Sequence, residues 1–365
     1  MRSRPIVMLD MVESADIGGL SSSVKSIINS DLANKYDFKI LWYRQSLGKY
    51  ISIARIMDLK NQISNINPDI VHISGLQLSG FHLAIAARLA NARHILMTIH
   101  GSSGEALFIN RIKRYILSCF IEPLTLLLVD KFYGVSQYVD SWKVLKIFKH
   151  KKHQYIYNMP PIASSGAHAA LIRHQLKVGP MDTVVVSVGR ITMEKGYDVL
   201  AQAIKLVVSD PAPVFCIVGE GDYLEVMKSE LSEEIRGGKV YFLGKRSDVQ
   251  DILSGCDIFV LPTLHETLSI ALLEASVEGL ALIASRVGGI PEIITHGLNG
   301  VMVTPGNIPE LAMAITRISQ SRSLCRGYGD AAKGTVDIKM NRRQSLMMLN
   351  KLYQELLTEG RASEF

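Results

Sequence analysis

Four loops of this chain combine charged residues or glycines with a position just after an apolar, strand-length run. The first is Gly189–Gly196, GRITMEKG, which follows Thr183–Val188 and precedes a helical pattern. Arg190 and Lys195 would then lie beside the free amides of a helix start, and cations beside such amides form a binding site for a diphosphate. Two solvated cations in a surface loop are the alternative interpretation.

The second loop leads into Glu266–Glu274, which follows Leu261-Pro262. We expect a helix to begin near Ser269, so that Glu266 precedes the helix and Glu274 lies about 7.5 Å along its axis from Ser269. Two carboxylates at one helix start can accept hydrogen bonds from separate sets of sugar hydroxyls. A solvated helix face is the alternative for Glu274, although its apolar neighbours indicate burial. The amides that would face the anionic linkage between those sugars are those of Thr267, Leu268 and Ser269.

Paired glycines mark the other two loops. Gly288 and Gly289 follow the apolar run Leu280–Ala284, and Gly18 and Gly19 follow the first apolar run of the chain. Glycine lets a backbone approach a ligand or a facing domain closely. The Gly18–Gly19 pair precedes the first helical pattern, where the first domain would offer amides to a phosphate.

These loops belong to an alternation of apolar runs and helical patterns that fills both halves of the chain. Continuous apolar runs between helices are typical of parallel strands covered on both faces. The predicted fold class is therefore α/β, with two doubly wound, Rossmann-like domains facing each other across a ligand-binding cleft. The predicted strands are Pro5–Leu9, Phe38–Tyr43, Ile70–Ile73, His94–Ile99, Lys131–Val135, Gln154–Tyr157, Thr183–Val188, Val214–Val218, Val240–Leu243, Ile258–Leu261, Leu280–Ala284 and Gly300–Val303.

A length of 365 residues suggests two domains. Two prolines and a run of small polar residues after Asn158 indicate a hinge. We expect an N-terminal Rossmann-like domain over residues 1–165 and a C-terminal Rossmann-like domain over residues 166–345. A C-terminal helix in residues 346–365 is expected to pack back on the first domain.

The net charge of +6 is unevenly distributed along the chain. Residues 1–165 hold 20 Lys/Arg and 11 Asp/Glu, a net +9, whereas residues 166–365 hold 20 and 23, a net −3. The basic half is expected to meet something anionic. No secretory signal and no membrane-spanning run is recognisable, so we expect a cytoplasmic protein.

The residues give little sign of metal or redox chemistry. The four cysteines are widely spaced without a C-x-x-C pair, and no D-x-D motif occurs. We therefore expect no metal site, no cofactor besides the substrate, and no nucleic acid partner. For His72 a satisfied polar contact at a strand end is expected rather than catalysis.

Two basic–apolar stretches lie in the first half, Arg111–Phe120 and Lys143–Lys152. Either could lie on an anionic membrane surface, where each cation adds about 1 kcal/mol. Crossover helices with snorkelling lysines are the alternative.

Taken together, the motifs make the second half resemble the retaining GT-B glycosyltransferases of family GT4, also called glycosyl transferases group 1. The first half resembles the family more loosely, through Gly18-Gly19, Asp69–His72, Thr98–Gly101, Val135-Ser136 and Tyr157-Asn158. The matching stretches of the second half are Gly189–Gly196, Val218–Gly221, Val240–Gly244, Cys256–Pro262, Glu266–Ala275 and Val287–Glu292.

The resemblance implies that residues 1–165 bind the acceptor and that residues 166–345 bind the nucleotide sugar. It also implies a role for each candidate residue. Arg190 and Lys195 would hold the donor diphosphate. Glu274 would hold the nucleotide ribose, Glu266 would face the transferred sugar, and the loop Gly244–Arg246 would meet the base.

The same resemblance places His100 near the reaction centre and Gly18 and Gly19 near the distal phosphate. One departure concerns the sugar pocket. The family often has Gly-Phe-Gly after the first acid, whereas this chain has Thr267-Leu268-Ser269. The amides remain available, but the side chains would narrow the pocket.

The expected activity is a metal-independent, retaining transfer of a sugar from a nucleotide-diphosphate donor, UDP-linked rather than GDP-linked, to an acceptor hydroxyl. The resemblance implies a lipid-linked glycan as acceptor, in the synthesis of bacterial surface polysaccharide such as O-antigen, capsule or exopolysaccharide. A lipid-linked acceptor would require membrane contact, so contact of the two basic–apolar stretches with a membrane is favoured. The enzyme would work at the inner face of the cytoplasmic membrane. A sugar-nucleotide epimerase of similar fold and a non-catalytic sugar-nucleotide-binding scaffold are the alternatives.

Overall fold

The computed structural model describes residues 4–12, 19–43 and 50–359. The chain divides into two compact units: unit 1 contains Met1–Met159 and Arg342–Phe365, and unit 2 contains Pro160–Asn341. Each unit has one sheet in which all paired strands are parallel. The predicted α/β class with two doubly wound units is confirmed.

The sheet of unit 1 contains β1 (Ile6–Val12), β2 (Asp37–Tyr43), β3 (Ile70–Ser74), β4 (His94–Ile99) and β5 (Lys131–Gly134). Their order in the sheet is β2-β1-β3-β4-β5. All residues of β1, β3 and β4 are buried, as expected for parallel strands covered on both faces. The helices of this part are α1 (Gly19–Ile28), α2 (Ile53–Ile66), α3 (Leu78–Leu89), α4 (Arg111–Ile116), α5 (Glu122–Leu128), α6 (Gln137–Asp140) and α7 (Lys143–Ile147), with a π-helical turn at Leu117–Ile121.

The sheet of unit 2 contains β6 (Val184–Val188), β7 (Val214–Val218), β8 (Val240–Gly244), β9 (Ile258–Leu261), β10 (Ala281–Ser285) and β11 (Gly300–Val303). Their order is β11-β10-β9-β6-β7-β8. The helices are α8 (Ala169–Gln175), α9 (Tyr197–Leu206), α10 (Leu224–Glu230), α11 (Ser232–Arg236), α12 (Val249–Ser254), α13 (Ile270–Glu278), α14 (Ile290–Ile293), α15 (Ile308–Ser319) and α16 (Arg322–Lys339).

The last helix, α17 (Arg342–Glu359), belongs to unit 1 and packs into its core. Its fully buried side chains are Leu349, Leu352, Tyr353 and Leu356. Among the residues that the structure describes, no helix combines the length and the apolar character that crossing a bilayer requires.

A buried polar network joins α17 to the sheet of unit 1. The hydroxyl of Tyr353 lies 2.7 Å from Nδ1 of His72 in β3, and Oγ1 of Thr98 in β4 lies 2.6 Å from Nε2 of the same ring. Both ring nitrogens of His72 therefore have partners, which confirms the structural role predicted for this histidine.

The boundary between the units lies at 159/160 rather than at the expected 165/166. Met159 is buried in the core of unit 1. Ser164 already belongs to unit 2, because its amide donates to Glu278 at 2.6 Å and its hydroxyl donates to Asp251 at 2.9 Å. The second boundary lies at 341/342 rather than at the expected 345/346, because α17 begins at Arg342.

The predicted strand Gln154–Tyr157 does not form. The chain runs beside β5, with the amide of His153 donating to Phe132 at 2.8 Å and the amide of Ile156 donating to Gly134 at 3.0 Å. A parallel ladder needs a bond at every second residue of each strand. The two amides are three residues apart, so the ladder is broken after a single bridge.

Leu352→Ala should lower the free energy of unfolding of unit 1 by about 2–5 kcal/mol, because it empties a fully packed position. Met347→Ala, on the same helix but 64% exposed, is the matched control and should change it by less than about 0.5 kcal/mol. The two tryptophans of the chain, Trp42 and Trp142, both lie in unit 1, so urea unfolding followed by tryptophan fluorescence reports on this unit. Equal losses in the two variants would contradict the packing of α17.

Candidate functional site

The candidate site lies at the carboxyl ends of β6 and β9, where the strand order of the second sheet reverses. Strand β6 pairs with β7 on one side and with β9 on the other, so the loops after β6 and β9 leave the sheet side by side. Doubly wound folds bind ligands at such switch points. The amide of Leu264, after β9, donates to the carbonyl of Glu194, after β6, at 2.9 Å and joins the two loops.

An ion pair between Lys195 and Glu266 connects the same loops. Nζ of Lys195 lies 2.8 Å from Oε2 of Glu266, and the two side chains are only 20% and 14% exposed. Oε1 of Glu266 accepts a hydrogen bond from the amide of Thr267 at 3.2 Å. Because the pair is largely desolvated, removing one partner would leave the other charge uncompensated. The structure thus brings together the cation expected at the diphosphate and the carboxylate expected at the sugar.

Arg190 is held much less tightly than Lys195. Its side chain is 71% exposed, and its guanidinium approaches the carboxylate of Glu194 only to 3.9 Å. An exposed guanidinium can turn toward an anion and present two parallel N–H donors to it. Arg190 therefore suits a residue that closes on a phosphate after the phosphate has arrived.

Two glycines allow the loops of the site to approach each other. Gly196 has a φ of +73°, and a Cβ at this position would lie 1.9 Å from the carbonyl oxygen of Pro262. A Cβ on Gly289 would lie 2.0 Å from the carbonyl oxygen of Thr267. No side chain fits at either position. The close approach predicted for Gly289 is therefore made to the backbone of the loop after β9.

Helix α13 begins at Ile270 with Ser269 as its N-cap, which confirms the predicted helix start. Oγ of Ser269 accepts a hydrogen bond from the amide of Leu272 at 3.2 Å. The hydroxyl of Ser269 is therefore used by the helix. Thr267 and Leu268 are buried as well, so the three residues that replace Gly-Phe-Gly form a packed helix start.

Glu274 lies in the second turn of α13 and is half-buried. Burial raises the pKa of its carboxyl to about 7, and no hydrogen bond from a described residue opposes this shift. A half-buried carboxyl without a partner can accept hydrogen bonds from a ligand, because its bonding capacity is unused.

Arg246, in the loop after β8, is already engaged. Its Nε and Nη2 donate to the two carboxylate oxygens of Asp248, at 2.8 and 2.6 Å. The carbonyl of Gly244 accepts a hydrogen bond from the amide of Gly219 at 2.8 Å. The loop is thus fixed beside β7 through its backbone, and its expected contact with the base stays a prediction.

In unit 1, His100 follows β4 directly. Burial lowers the pKa of His100 to about 4, so its imidazole is neutral at pH 7. The loop after His100 is held by Glu122 of α5, whose carboxylate accepts hydrogen bonds from Oγ of Ser102 at 2.7 Å and from the amide of Ser103. The structure does not test the expected role of His100 in the reaction.

The first glycine pair is only partly described. Gly19 is the first residue of α1, and Gly18 lies outside the described residues. The predicted contact of this pair with a phosphate therefore stays a prediction.

Two buried carboxylates in unit 1 escape prediction from the sequence. Glu122 is 1% exposed, and its signal is a lone acid within an apolar helical run. Asp10 is also 1% exposed, and burial raises its pKa to about 7. In the sequence Asp10 only ends an apolar run, whereas in the structure β1 continues through it to Val12.

Comparisons with known proteins concern the family of the second half of the chain and the fold of both units. Residues 170–335 match the family described as Glycosyl transferases group 1. The UDP-Gal:alpha-D-GlcNAc-diphosphoundecaprenol alpha-1,3-galactosyltransferase of Escherichia coli is 27% identical over 291 residues, which are 75% of this chain and 73% of that protein.

Two solved structures share the fold over nearly the whole chain. The sucrose-phosphate synthase of Thermosynechococcus elongatus has a TM-score of 0.77 at 19% identity and covers 98% of this chain and 100% of its own. HepE of Anabaena, in complex with UDP and glucose, has a TM-score of 0.76 at 17% identity and covers 96% of this chain and 100% of its own.

The two parallel-sheet units therefore have the GT-B fold. The Lys195–Glu266 pair lies within the segment that matches glycosyl transferases group 1. The resemblance drawn from the sequence motifs is confirmed.

Glu274→Gln should remove a pH dependence of the stability of unit 2. The carboxyl has a pKa of about 7 in the folded chain, against 4.5 for an ordinary glutamate. Between these values the folded chain keeps a proton that the unfolded chain has released, so wild-type stability falls as the pH rises through this window. In thermal unfolding, the melting temperature of the variant relative to that of wild type should therefore rise as the pH increases across this window.

Glu225→Gln is the matched control, since its side chain is 81% exposed. The melting temperature of this control should change with pH in the same way as that of wild type. A Glu274→Gln variant whose melting temperature also changes with pH as that of wild type does would refute the raised pKa of the Glu274 carboxyl.

Proposed function

We propose that the protein is a GT4-type, metal-independent enzyme that transfers a sugar, with retention of configuration, from a UDP-linked donor to a hydroxyl of a lipid-linked glycan. The observation that carries the proposal is the Lys195–Glu266 pair at the switch point of the second sheet. Arg190 in the same loop and Glu274 in α13 complete a set of two cations and two carboxylates. This set matches the charges and hydroxyls of a nucleotide diphosphate sugar.

The leaving group explains the need for the cations. When the bond between sugar C1 and the terminal phosphate oxygen breaks, the electron pair stays on that oxygen, and the nucleoside diphosphate leaves with additional negative charge. Lys195 would exchange its partner Glu266 for the phosphate, and Arg190 would turn onto it. Positive groups held in place in this way stabilise the developing charge without a metal ion.

The same exchange would prepare Glu266 for the sugar. Once Lys195 binds phosphate, Oε2 of Glu266 is free to accept hydrogen bonds from sugar hydroxyls. Glu274, which has no described partner, would accept the hydroxyls of the nucleotide ribose.

In the transfer step the acceptor oxygen would bond to C1 on the face that the diphosphate leaves. Its proton would pass to a phosphate oxygen of the departing diphosphate, so that no carboxylate base is required. The configuration at C1 is then retained. His100, which burial keeps neutral at pH 7, would orient the acceptor through hydrogen bonds rather than through charge.

Two observations support a lipid-linked acceptor. The relative from Escherichia coli is named for an acceptor that carries diphosphoundecaprenol. Residues 1–165 of this chain carry a net +9, which suits an acceptor with a lipid diphosphate at the anionic inner face of the cytoplasmic membrane. Synthesis of a bacterial surface polysaccharide is the corresponding process.

The test is a transfer assay with a panel of sugar nucleotides, a diphospholipid-linked sugar in detergent, and an excess of chelator. We expect UDP release and a product with the anomeric configuration of the donor. Arg190→Gln should lower kcat/KM about 10²-fold, because one donor to the leaving group is lost. Arg317→Gln, which changes an exposed arginine of α15 in the same unit, should not alter it.

Each part of the proposal has its own contrary result. Activity that the chelator abolishes and magnesium or manganese restores would refute metal independence, and an inverted product would refute retention. Interconversion of the donor sugar without acceptor would identify an epimerase. Donor binding without turnover of any donor would identify a scaffold.

A further inference from the structure

An exposed apolar stripe runs along α4, the π-helical turn and α5. Six large side chains with helical spacing have exposures between 44% and 71%: Ile112, Tyr115, Ile116, Phe120, Leu124 and Leu127. We call them the α4–α5 face. Such a stripe usually packs against the core of a protein, but in α5 the core contacts are made by the buried residues Thr125 and Leu126 instead.

We propose that the α4–α5 face docks on an anionic lipid bilayer, with its side chains in the boundary between headgroups and acyl chains. Apolar side chains beside cations on one helical surface are the pattern of a helix that lies in a membrane interface. The cations are Arg111, Lys113 and Arg114 in α4.

The charge pattern favours a bilayer over a second copy of the chain. No acidic residue occurs between Glu105 and Glu122, and Glu122 is itself buried and hydrogen-bonded. Two copies joined through this face would bring two sets of the same three cations together. An anionic bilayer neutralises them, with each cation adding about 1 kcal/mol.

The second basic stretch contributes less than its sequence suggests. Nζ of Lys151 donates to the carbonyls of Leu127 and Val129, both at 2.8 Å, and so satisfies the C-terminal end of α5. Lys152 pairs with Asp140 at 2.8 Å. These two lysines are structural, although the sequence placed them on the membrane surface.

Helix α5, which carries part of the α4–α5 face, also holds the loop that follows His100. Glu122, in the first turn of α5, binds Ser102 and Ser103 of that loop. A bilayer on the α4–α5 face would therefore lie against the element that fixes this loop, where a diphosphate among lipid headgroups could reach it. This last step rests on the proposed function, whereas the docking itself does not.

Cys119 provides a reporter at the centre of the face. It is exposed, whereas Cys216 is buried and Cys256 and Cys325 are half-buried, and thiol labelling follows exposure. The full chain, labelled there with a polarity-sensitive dye, is mixed with vesicles of phosphatidylcholine alone or with phosphatidylglycerol. We expect a blue shift with the anionic vesicles that weakens as salt shortens the Debye length to about 3 Å at 1 M.

Variants separate the apolar from the charged contribution in vesicle sedimentation. Ile112→Gln with Phe120→Gln should weaken binding at least about 10-fold, because two apolar anchors are lost. Arg111→Gln with Arg114→Gln should weaken it about as much and reduce its salt dependence. The matched control, Met313→Gln with Ile338→Gln, changes side chains of unit 2 that are 65% and 79% exposed and should have no effect.

Three results would overturn the inference. They are a wild type that ignores anionic vesicles at low salt, an equal loss in the control, and a dimer in solution that Ile112→Gln with Phe120→Gln dissociates while vesicles are ignored. Vesicle binding by a chain that transfers no sugar would refute the proposed function and leave the docking in place. Sugar transfer in detergent by a chain that does not bind vesicles would refute the docking and leave the proposed function in place.

Discussion

The ion pair between Lys195 and Glu266 is the interaction on which the site depends. The two residues are 71 positions apart in the sequence and meet only because β6 and β9 are neighbours in a parallel sheet. Both charges are largely shielded from water, so neither can lose its partner without a replacement. A phosphate can replace Glu266 as the partner of Lys195, and sugar hydroxyls can replace Lys195 as the partner of Glu266.

Other features of unit 2 keep this pair in place. Gly196 and Gly289 allow two backbone contacts that any side chain would prevent. The cap that Ser269 provides fixes the start of α13 and thereby the position of Glu274 one turn later. Thr267, Leu268 and Ser269 are buried, so the helix start beside Glu266 is packed and is not a glycine-rich turn.

Unit 1 combines a neutral histidine pair with a charged and apolar surface. Burial lowers the pKa of His72 to about 3 and that of His100 to about 4, so neither ring adds positive charge at pH 7. The cations of α4 remain on the surface beside the exposed apolar stripe. The surface cations and the buried, neutral imidazoles of unit 1 thus belong to different residues.

The fold could be predicted because its signals are local. The strands Val214–Val218 and Ile258–Leu261 have the predicted bounds, since each is one apolar run. The site was predicted as residues, but its pairing was not. The ion pair between Lys195 and Glu266 depends on the order of the strands in the sheet, which no single segment of the sequence encodes.

The failures have the same cause. Lys151 looked like a membrane contact, and its bonds to the end of α5 depend on a packing that the sequence does not specify. In the sequence, Glu122 is a single acid within an apolar helical run. Its contact with the loop after His100 depends on the packing of that loop against α5. Gln154–Tyr157 has the composition of a strand but not the register for a ladder with β5.

Hydrogen–deuterium exchange of the full chain with and without UDP tests the central claim most directly. If the diphosphate binds at the switch point of the second sheet, the amides of Gly189–Gly196 and Thr267–Glu274 will exchange more slowly at saturating UDP. The amides of α4 and α5 will be unchanged. Protection confined to unit 1, or no protection in either segment at saturation, would contradict the account.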